Sequence, residues 1–131
     1  MKRATAFLLL LASLLFPQAR KGKAPRPPEV ELLEVTARRE TGQVILDGRV
    51  RNATNRPFKG LIVLFEFHST DGRMISRKQT TVAEDSFDPG QEGEFRTETP
   101  DPVRAVRVLV ICEDREGRYL RVDKPGPFPI E

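Results

Sequence analysis

The segment LIVLFEF, residues 61–67, decides the fold class because six of its seven residues are apolar. An extended chain places alternate residues on opposite sides. Both sides of this segment are therefore apolar, with Val63, Phe65 and Phe67 on one and Ile62 and Leu64 on the other. A strand of this kind belongs in the middle of a sheet or partly under another element. We predict a central β-strand over residues 61–67.

The same period of two continues on either side of this segment. Residues 44–51 alternate between an apolar set and a mostly polar set, which is typical of a strand with one buried face. Residues 106–113 place three valines and Cys112 on one face, and they predict a second central strand. Weaker candidates are residues 30–37, 74–82, 92–99 and 118–122, which gives seven strands and no helix.

Turn residues separate these segments and favour short connections. Asp71-Gly72 fits a hairpin turn, because both residue types tolerate a positive φ. Pro89-Gly90 fits the central positions of a type II turn, and Glu116-Gly117 separates the last two strands. Residues 52–57 are long enough for the chain to cross between sheets. Short strands with such turns predict a two-sheet antiparallel sandwich.

Several of these segments also carry a family resemblance: Gly48-Arg49-Val50-Arg51-Asn52, Phe65-Glu66-Phe67-His68, Asp71-Gly72, Asp88-Pro89-Gly90 and Phe95. In this order they resemble the FxLyD domain of bacterial exported and membrane-anchored proteins, over about residues 42–123. The resemblance implies a seven-stranded antiparallel immunoglobulin-like sandwich and export from the cytoplasm. It implies no catalytic motif and no cofactor.

The N-terminal residues predict export. Lys2 and Arg3 are followed by 13 uncharged, mostly apolar residues at positions 4–16. As a helix this run is about 20 Å long, too short for a hydrocarbon core of roughly 30 Å. We therefore predict a signal peptide at residues 1–19, a basic Pro-rich linker at 20–28 and a β-sandwich domain at 29–131, in the periplasm or secreted. The alternative is an uncleaved anchor that tethers an accessory subunit to the membrane and gives the chain its membrane contact.

The positive charge is confined to the N-terminal region. The whole chain carries 22 basic and 19 acidic residues, or +3. Residues 1–28 hold six of the basic residues and no acidic one, so residues 29–131 carry 16 against 19, or −3. Basic and acidic residues alternate within the predicted domain, as in Arg115-Glu116-Gly117-Arg118. We therefore expect no nucleic-acid partner.

Cys112 is the one cysteine of the chain and has no intramolecular disulfide partner. Its position on the valine face of a strand favours a small buried apolar side chain. The alternatives are a reactive thiol and an intermolecular disulfide.

Residues that could support chemistry are few. His68 is the single histidine, and nearby Ser69 and Asp71 are explained by the turn beside them, so we expect no enzyme activity. A blue-copper site from Cys112, His68 and Met74 lacks its second histidine. A calcium site built from Glu84, Asp85 and Asp88 stays open as an alternative to a hydrated acidic loop. We expect no metal and no cofactor.

The remaining features point to a binding or structural role. Asn52-Ala53-Thr54 matches a glycosylation sequon, although loop chemistry explains the asparagine without a sugar. Residues 74–82 are a candidate edge strand that accepts a partner strand, but their Thr, Arg and Lys side chains are equally suited to protecting an edge. We expect an exported, non-catalytic module that is protein-binding or structural in the bacterial cell envelope, with an envelope protein as the partner.

Overall fold

The computed structural model describes residues 26–131, so the predicted signal peptide and most of the predicted linker lie outside the described residues. The described chain forms eight β-strands and no helix. The strands are β1 (Val30–Glu40), β2 (Gln43–Asn52), β3 (Leu61–His68), β4 (Met74–Ala83), β5 (Glu92–Pro100), β6 (Arg107–Glu113), β7 (Tyr119–Leu120) and β8 (Phe128–Pro129). None of the described residues belongs to a helix long and apolar enough to cross a membrane.

The strands form two antiparallel sheets, as predicted. The first has the order β1-β2-β5, and the second has the order β4-β3-β6-β7, with β8 also paired to β6. Every strand-to-strand ladder is antiparallel. The central positions of β3 and β6 in their sheet match the prediction from their apolar patterns.

The predicted number of seven strands is wrong, because the described chain has an eighth strand at its end. β8 pairs Phe128 with Val108 of β6. The strand is two residues long and lies among Pro125, Pro127 and Pro129, residues that cannot donate to a ladder. Its sequence therefore has the composition of a loop, and only its neighbours in the fold make it a strand.

One apolar cluster lies between the two sheets. From the first sheet it takes Val30, Leu32, Ala37, Val44, Leu46, Val50 and Phe95, and from the second it takes Val63, Phe65, Phe67, Val108, Val110, Cys112 and Leu120. The rings of Phe65 and Phe95 meet across it with centroids 5.4 Å apart. Each fully buried side chain of this size contributes roughly 1.5–3 kcal/mol, so this cluster holds the sheets together.

The chain after β7 joins the two sheets along one side. The N–H of Val30 donates to the carbonyl of Arg121 at 2.9 Å, and the N–H of Asp123 donates to Val30 at 3.0 Å. At the other end of β1, the N–H of Glu131 donates to Ala37 at 2.9 Å. The edge at β1 is therefore partly covered, and the long edge strands on the opposite side are β4 and β5.

The predicted turns are confirmed. Gly72 has φ +84° in the hairpin between β3 and β4. Gly90 has φ +75°, and the N–H of Gln91 donates to the carbonyl of Asp88 at 2.9 Å, as a type II turn requires. The long connection at residues 53–60 carries the chain from β2 in the first sheet to β3 in the second.

Candidate functional site

Strand β4 is a long edge strand with one free side. It pairs with β3 from Met74 to Ala83, with an irregularity near each end that leaves Ile75 and Val82 without a register partner, and no other described strand pairs with it. Within residues 26–131, no β4 residue makes a main-chain hydrogen bond outside this ladder. An edge strand points alternate N–H and C=O groups away from its sheet, where another extended chain can pair with them. The predicted edge position of residues 74–82 is thus confirmed.

The side chains of β4 differ from those of the strands beside it. Ser76, Lys78 and Thr80 pair in register with Phe67, Phe65 and Val63, so they point to the same face as the core. They are nonetheless half-buried polar groups at the margin of the sandwich. A lysine pointing inward at an edge disfavours indiscriminate pairing with other sheets. β4 therefore combines main-chain groups that are unpaired on one side with side chains that restrict which strands can pair there.

A depression opens at the start of β4, beside the hairpin that follows β3. It is lined by Ser69, Thr70, Asp71, Arg73, Met74, Ile75 and Arg104. Met74 and Ile75 are 52% and 39% exposed. Val103, which precedes Arg104 in the chain, is 81% exposed. Large apolar side chains at this exposure mark a surface suited to contact with another molecule.

The single carboxylate of the depression is already engaged. The Ser69 hydroxyl and the Arg73 N–H both donate to Asp71. These bonds, with the Ser69 hydroxyl as the main cause, lower the pKa of the Asp71 carboxyl. Asp71 thus serves the turn, and it is not free to act as an acid or base.

Two arginines, Arg73 and Arg104, line the depression without forming an ion pair in the described chain. After the Ser69 hydroxyl, the charge of Arg104 also helps to lower the pKa of the nearby Asp71 carboxyl. Arg73, Lys78 and Arg104 have no carboxylate within salt-bridge distance in the described part of the chain. Arg77 differs from them, because its Nη2 lies 3.0 Å from Glu66 Oε2. The edge therefore presents cations outside any ion pair together with exposed apolar side chains.

His68 does not face a serine. Its Nδ1 lies 3.2 Å from the carbonyl oxygen of Gly72, and its Nε2 lies 3.4 Å from Glu66 Oε1. The Ser69 hydroxyl is directed instead to Asp71. Activation of a nucleophile needs the histidine and the hydroxyl in contact, and this arrangement directs them to different partners.

Cys112 is fully buried in the core, as its position on the valine face predicted. It belongs to the face of β6 that also carries Val108 and Val110. Burial raises the pKa of its thiol to about 12. Neither a reactive thiol nor an intermolecular disulfide is accessible in the folded protein.

The buried thiol makes stability depend on alkaline pH. An unfolded thiol ionises near the ordinary value of 9.0, whereas the folded one stays protonated up to about pH 12. Within this window the folded state holds the extra proton, so raising the pH favours unfolding. We expect the stability advantage of the wild type over Cys112→Ala to shrink by roughly 1 kcal/mol per pH unit above pH 9. Denaturant titrations of both proteins at pH 7 to 11 measure this, and parallel pH curves would contradict it.

The Asn52 side chain is buried and fully hydrogen-bonded, so it leaves no room for a sugar. It is 1% exposed. Its amide nitrogen donates to the carbonyls of Arg56 at 2.8 Å and Phe87 at 2.9 Å, which uses both of its hydrogens. Its amide oxygen accepts from the N–H and hydroxyl of Thr54 at 2.9 and 2.7 Å. The residues that match the sequon therefore serve to hold the loop together.

The acidic loop does not assemble a cation site. The Asp85 side chain is 97% exposed, and its carboxylate lies 3.4 Å from Arg115. Asp88 accepts from the Ser86 hydroxyl at 2.8 Å. Among residues 26–131, no group of three or more His, Cys, Asp or Glu side chains could hold a metal ion. The alternative calcium site at Glu84, Asp85 and Asp88 is therefore not supported.

The sequence did not indicate that Arg104 belongs to the depression at β4. Residues 74–82 were recognisable as an edge because polar and β-branched residues fill them. Arg104 lies about 30 residues later, in the connection before β6. It reaches the depression beside Met74 because β3 pairs with both β4 and β6, with His68 opposite both Met74 and Arg107. No local sequence pattern indicates that Arg104 lies beside the start of β4.

The described chain is thus an all-β protein of two antiparallel sheets with a long free edge. No protein-family model matches it, and no curated protein matches it. Among solved structures, IrmA from Escherichia coli is similar to 78% of this chain over 95% of its own, at 11% identity and a TM-score of 0.46. A likeness at this level carries no argument about what this chain does.

Proposed function

We propose that this chain is an exported, non-catalytic module that binds a protein partner in the bacterial cell envelope by strand addition at β4. The observation that carries the proposal is the ten-residue edge strand β4, which is paired on one side only and begins with exposed Met74 and Ile75. Main-chain bonds to an edge supply affinity, and alternate side chains supply specificity. The contacts of His68 and Asp71 support a role without catalysis.

The other edges of the sandwich are less suitable for a partner strand. β7 and β8 are two residues each, and the chain that carries them is bonded to β1 at both ends. β5 has a free side, but its outward side chains are mostly glutamates, and none of the large apolar side chains of the strand is exposed. β4 is therefore the preferred acceptor.

An immunoglobulin-like arrangement is the finer part of this proposal. The sheet order β1-β2-β5 against β4-β3-β6-β7 supports it, because neighbours in the sheets are joined by both hairpins and crossings between sheets. The resemblance to the FxLyD domain over residues 42–123 supports the same arrangement and an envelope location.

Charge substitution at the start of β4 tests the binding site. We expect Ile75→Glu to abolish recovery of the partner from envelope extract, because a carboxylate cannot be buried against an apolar side chain. The matched control is Tyr119→Glu, since Tyr119 is 57% exposed at the opposite edge of the same sheet. Affinity capture followed by mass spectrometry compares both with the wild type. Equal recovery with the two variants, while both stay folded, would contradict the proposal.

The export part of the proposal has a separate test. We propose cleavage after Ala19, with Arg20 as the mature N-terminus, and mass spectrometry of the protein from cells reads this directly. In the alternative, an uncleaved N-terminal segment tethers the sandwich as a membrane accessory subunit. That form stays in the membrane pellet after a high-salt wash, whereas a cleaved protein does not.

A further inference from the structure

The edge at β4 carries cations that form no ion pair within the described residues. Arg73 and Arg104 line the depression, and Lys78 lies farther along β4. None of the three forms an ion pair with any residue in 26–131. This concentration of unpaired cations contrasts with the net charge of −3 over residues 29–131.

The outer face of the first sheet shows the opposite arrangement. Arg49 lies 2.8 Å from Glu34 and 3.0 Å from Glu92. Arg38 and Arg96 both contact Asp47, at 3.4 and 2.9 Å. Asp47 also accepts from the Thr36 hydroxyl, which is the main cause of its lowered pKa. Charges on that face satisfy one another, whereas Arg73 and Arg104 line one depression together without an ion pair.

We propose that the partner of β4 is an acidic extended peptide segment, an inference that rests on the proposed function. Its main chain adds to the free side of β4, and its carboxylates meet Arg73 and Arg104 at the depression. An apolar side chain of the segment packs on Met74 and Ile75, the exposed apolar residues that line the same depression. Guanidinium groups bind carboxylates through paired hydrogen bonds, which adds geometric selection to charge attraction.

The chemistry of the edge favours a peptide over other anions. A row of main-chain N–H and C=O groups is complementary to another peptide main chain, and neither a lipid headgroup nor a phosphate backbone offers that alternation. Nucleic-acid binders add aromatic side chains on which bases stack, and the depression has no aromatic residue. The exposed apolar pair Met74 and Ile75 also suits a segment with alternating apolar and acidic side chains.

Fluorescence anisotropy with two labelled peptides tests the inference. The acidic probe is TEVEVEVT, and the basic probe TKVKVKVT has the same strand propensity. We expect the purified protein to bind the acidic probe at least about tenfold more tightly than the basic one, with affinity that falls as salt is raised from about 50 to 500 mM. Equal affinity for the two probes would overturn the inference.

Two double variants give the matched comparison. We expect Arg73→Glu with Arg104→Glu to weaken acidic-probe binding by about tenfold or more. Arg56→Glu with Lys124→Glu changes the net charge equally, at exposed cations that are also unpaired in the described chain but lie outside the depression. This control is expected to stay within about twofold of the wild type. Equal weakening by both doubles would show a general charge effect and overturn the inference.

Two further outcomes separate this inference from its alternatives. Binding to phosphatidylglycerol vesicles that Arg73→Glu with Arg104→Glu abolishes, with no binding of either peptide, would overturn it in favour of a membrane surface. Partner capture that Ile75→Glu abolishes and the Arg73→Glu, Arg104→Glu double leaves intact would also overturn it. In that last case the strand-addition function stands, and only the acidic character of the partner fails.

Discussion

Gly48→Ala is expected to destabilise the fold by about 3 kcal/mol or more, lowering the melting temperature by about 10 °C or more. Gly48 lies in β2 and pairs with Val35 of β1, close to the irregularity where the register of β1 shifts between Leu32 and Glu34. A Cβ at this position would lie 2.1 Å from the carbonyl oxygen of Glu34 and 2.7 Å from the ring of Phe95. Main chain and a core ring must both move to accept it.

Two controls distinguish this cause from a general effect of adding a methyl group. Gly90→Ala meets nothing within 4 Å but has φ +75°, so it is expected to cost only about 1–2 kcal/mol. Combining Gly48→Ala with Phe95→Leu removes the ring contact and leaves the Glu34 carbonyl in place, so we expect no recovery of stability. Thermal melts of the three variants measure this. A Gly48→Ala loss no larger than that of Gly90→Ala would contradict the account.

Asn52→Asp is expected to cost about 3 kcal/mol or more at neutral pH. The substitution keeps the shape and replaces an NH₂ group by an oxygen that faces the carbonyls of Arg56 and Phe87. Two hydrogen bonds become contacts between acceptors in a site that is 1% exposed. The Phe87 carbonyl keeps one partner, the N–H of Phe58. The Asn52 amide, however, no longer links the carbonyl of Arg56 to that of Phe87.

The matched control for this change is Asn55→Asp, three residues away on an exposed loop. It adds the same charge and is expected to change stability by no more than about 0.5 kcal/mol. Part of the stability lost by Asn52→Asp is expected to return at acidic pH, because a protonated carboxyl group can donate one hydrogen bond. Urea titrations at pH 7 and pH 4 test both points, and equal losses for the two variants would contradict the structural role of the Asn52 hydrogen bonds.

The elements that the sequence predicted are those whose local pattern and tertiary environment agree. The segment at β3 is apolar on both faces, and the structure places Phe65 in the core while Leu64, on the other face, is only 7% exposed. Gly72 and Gly90 have the positive φ values that their turns require. In these places a few adjacent residues contain enough information to specify the geometry.

The elements that the sequence did not predict depend on residues far apart in the chain. β8 is a strand because β6 and β1 both offer bonding groups to the C-terminal segment. The role of Gly48 as the space for the Phe95 ring needs β2 and β5 to be paired, with Gly48 opposite Phe95. The depression likewise needs the hairpin after β3 and the connection before β6 to meet.

The edge at β4 joins two requirements that usually conflict. A free edge is exposed to unwanted pairing, and an inward-pointing lysine and polar side chains limit that risk. Lys78 and Ser76 fulfil this role on the face that also carries the Phe65 and Phe67 of β3. The unpaired Arg73 and Arg104 then give the edge a preference for one sign of partner.

Amide hydrogen exchange of the protein with and without its captured partner tests the strand-addition account most directly. Main-chain pairing slows exchange at the amides that it engages. Strand addition at β4 predicts new protection within Met74–Ala83, with little change in β5 or at Tyr119–Leu120. Protection confined to β5 or to the outer face of β1 and β2, with β4 unchanged, would contradict it.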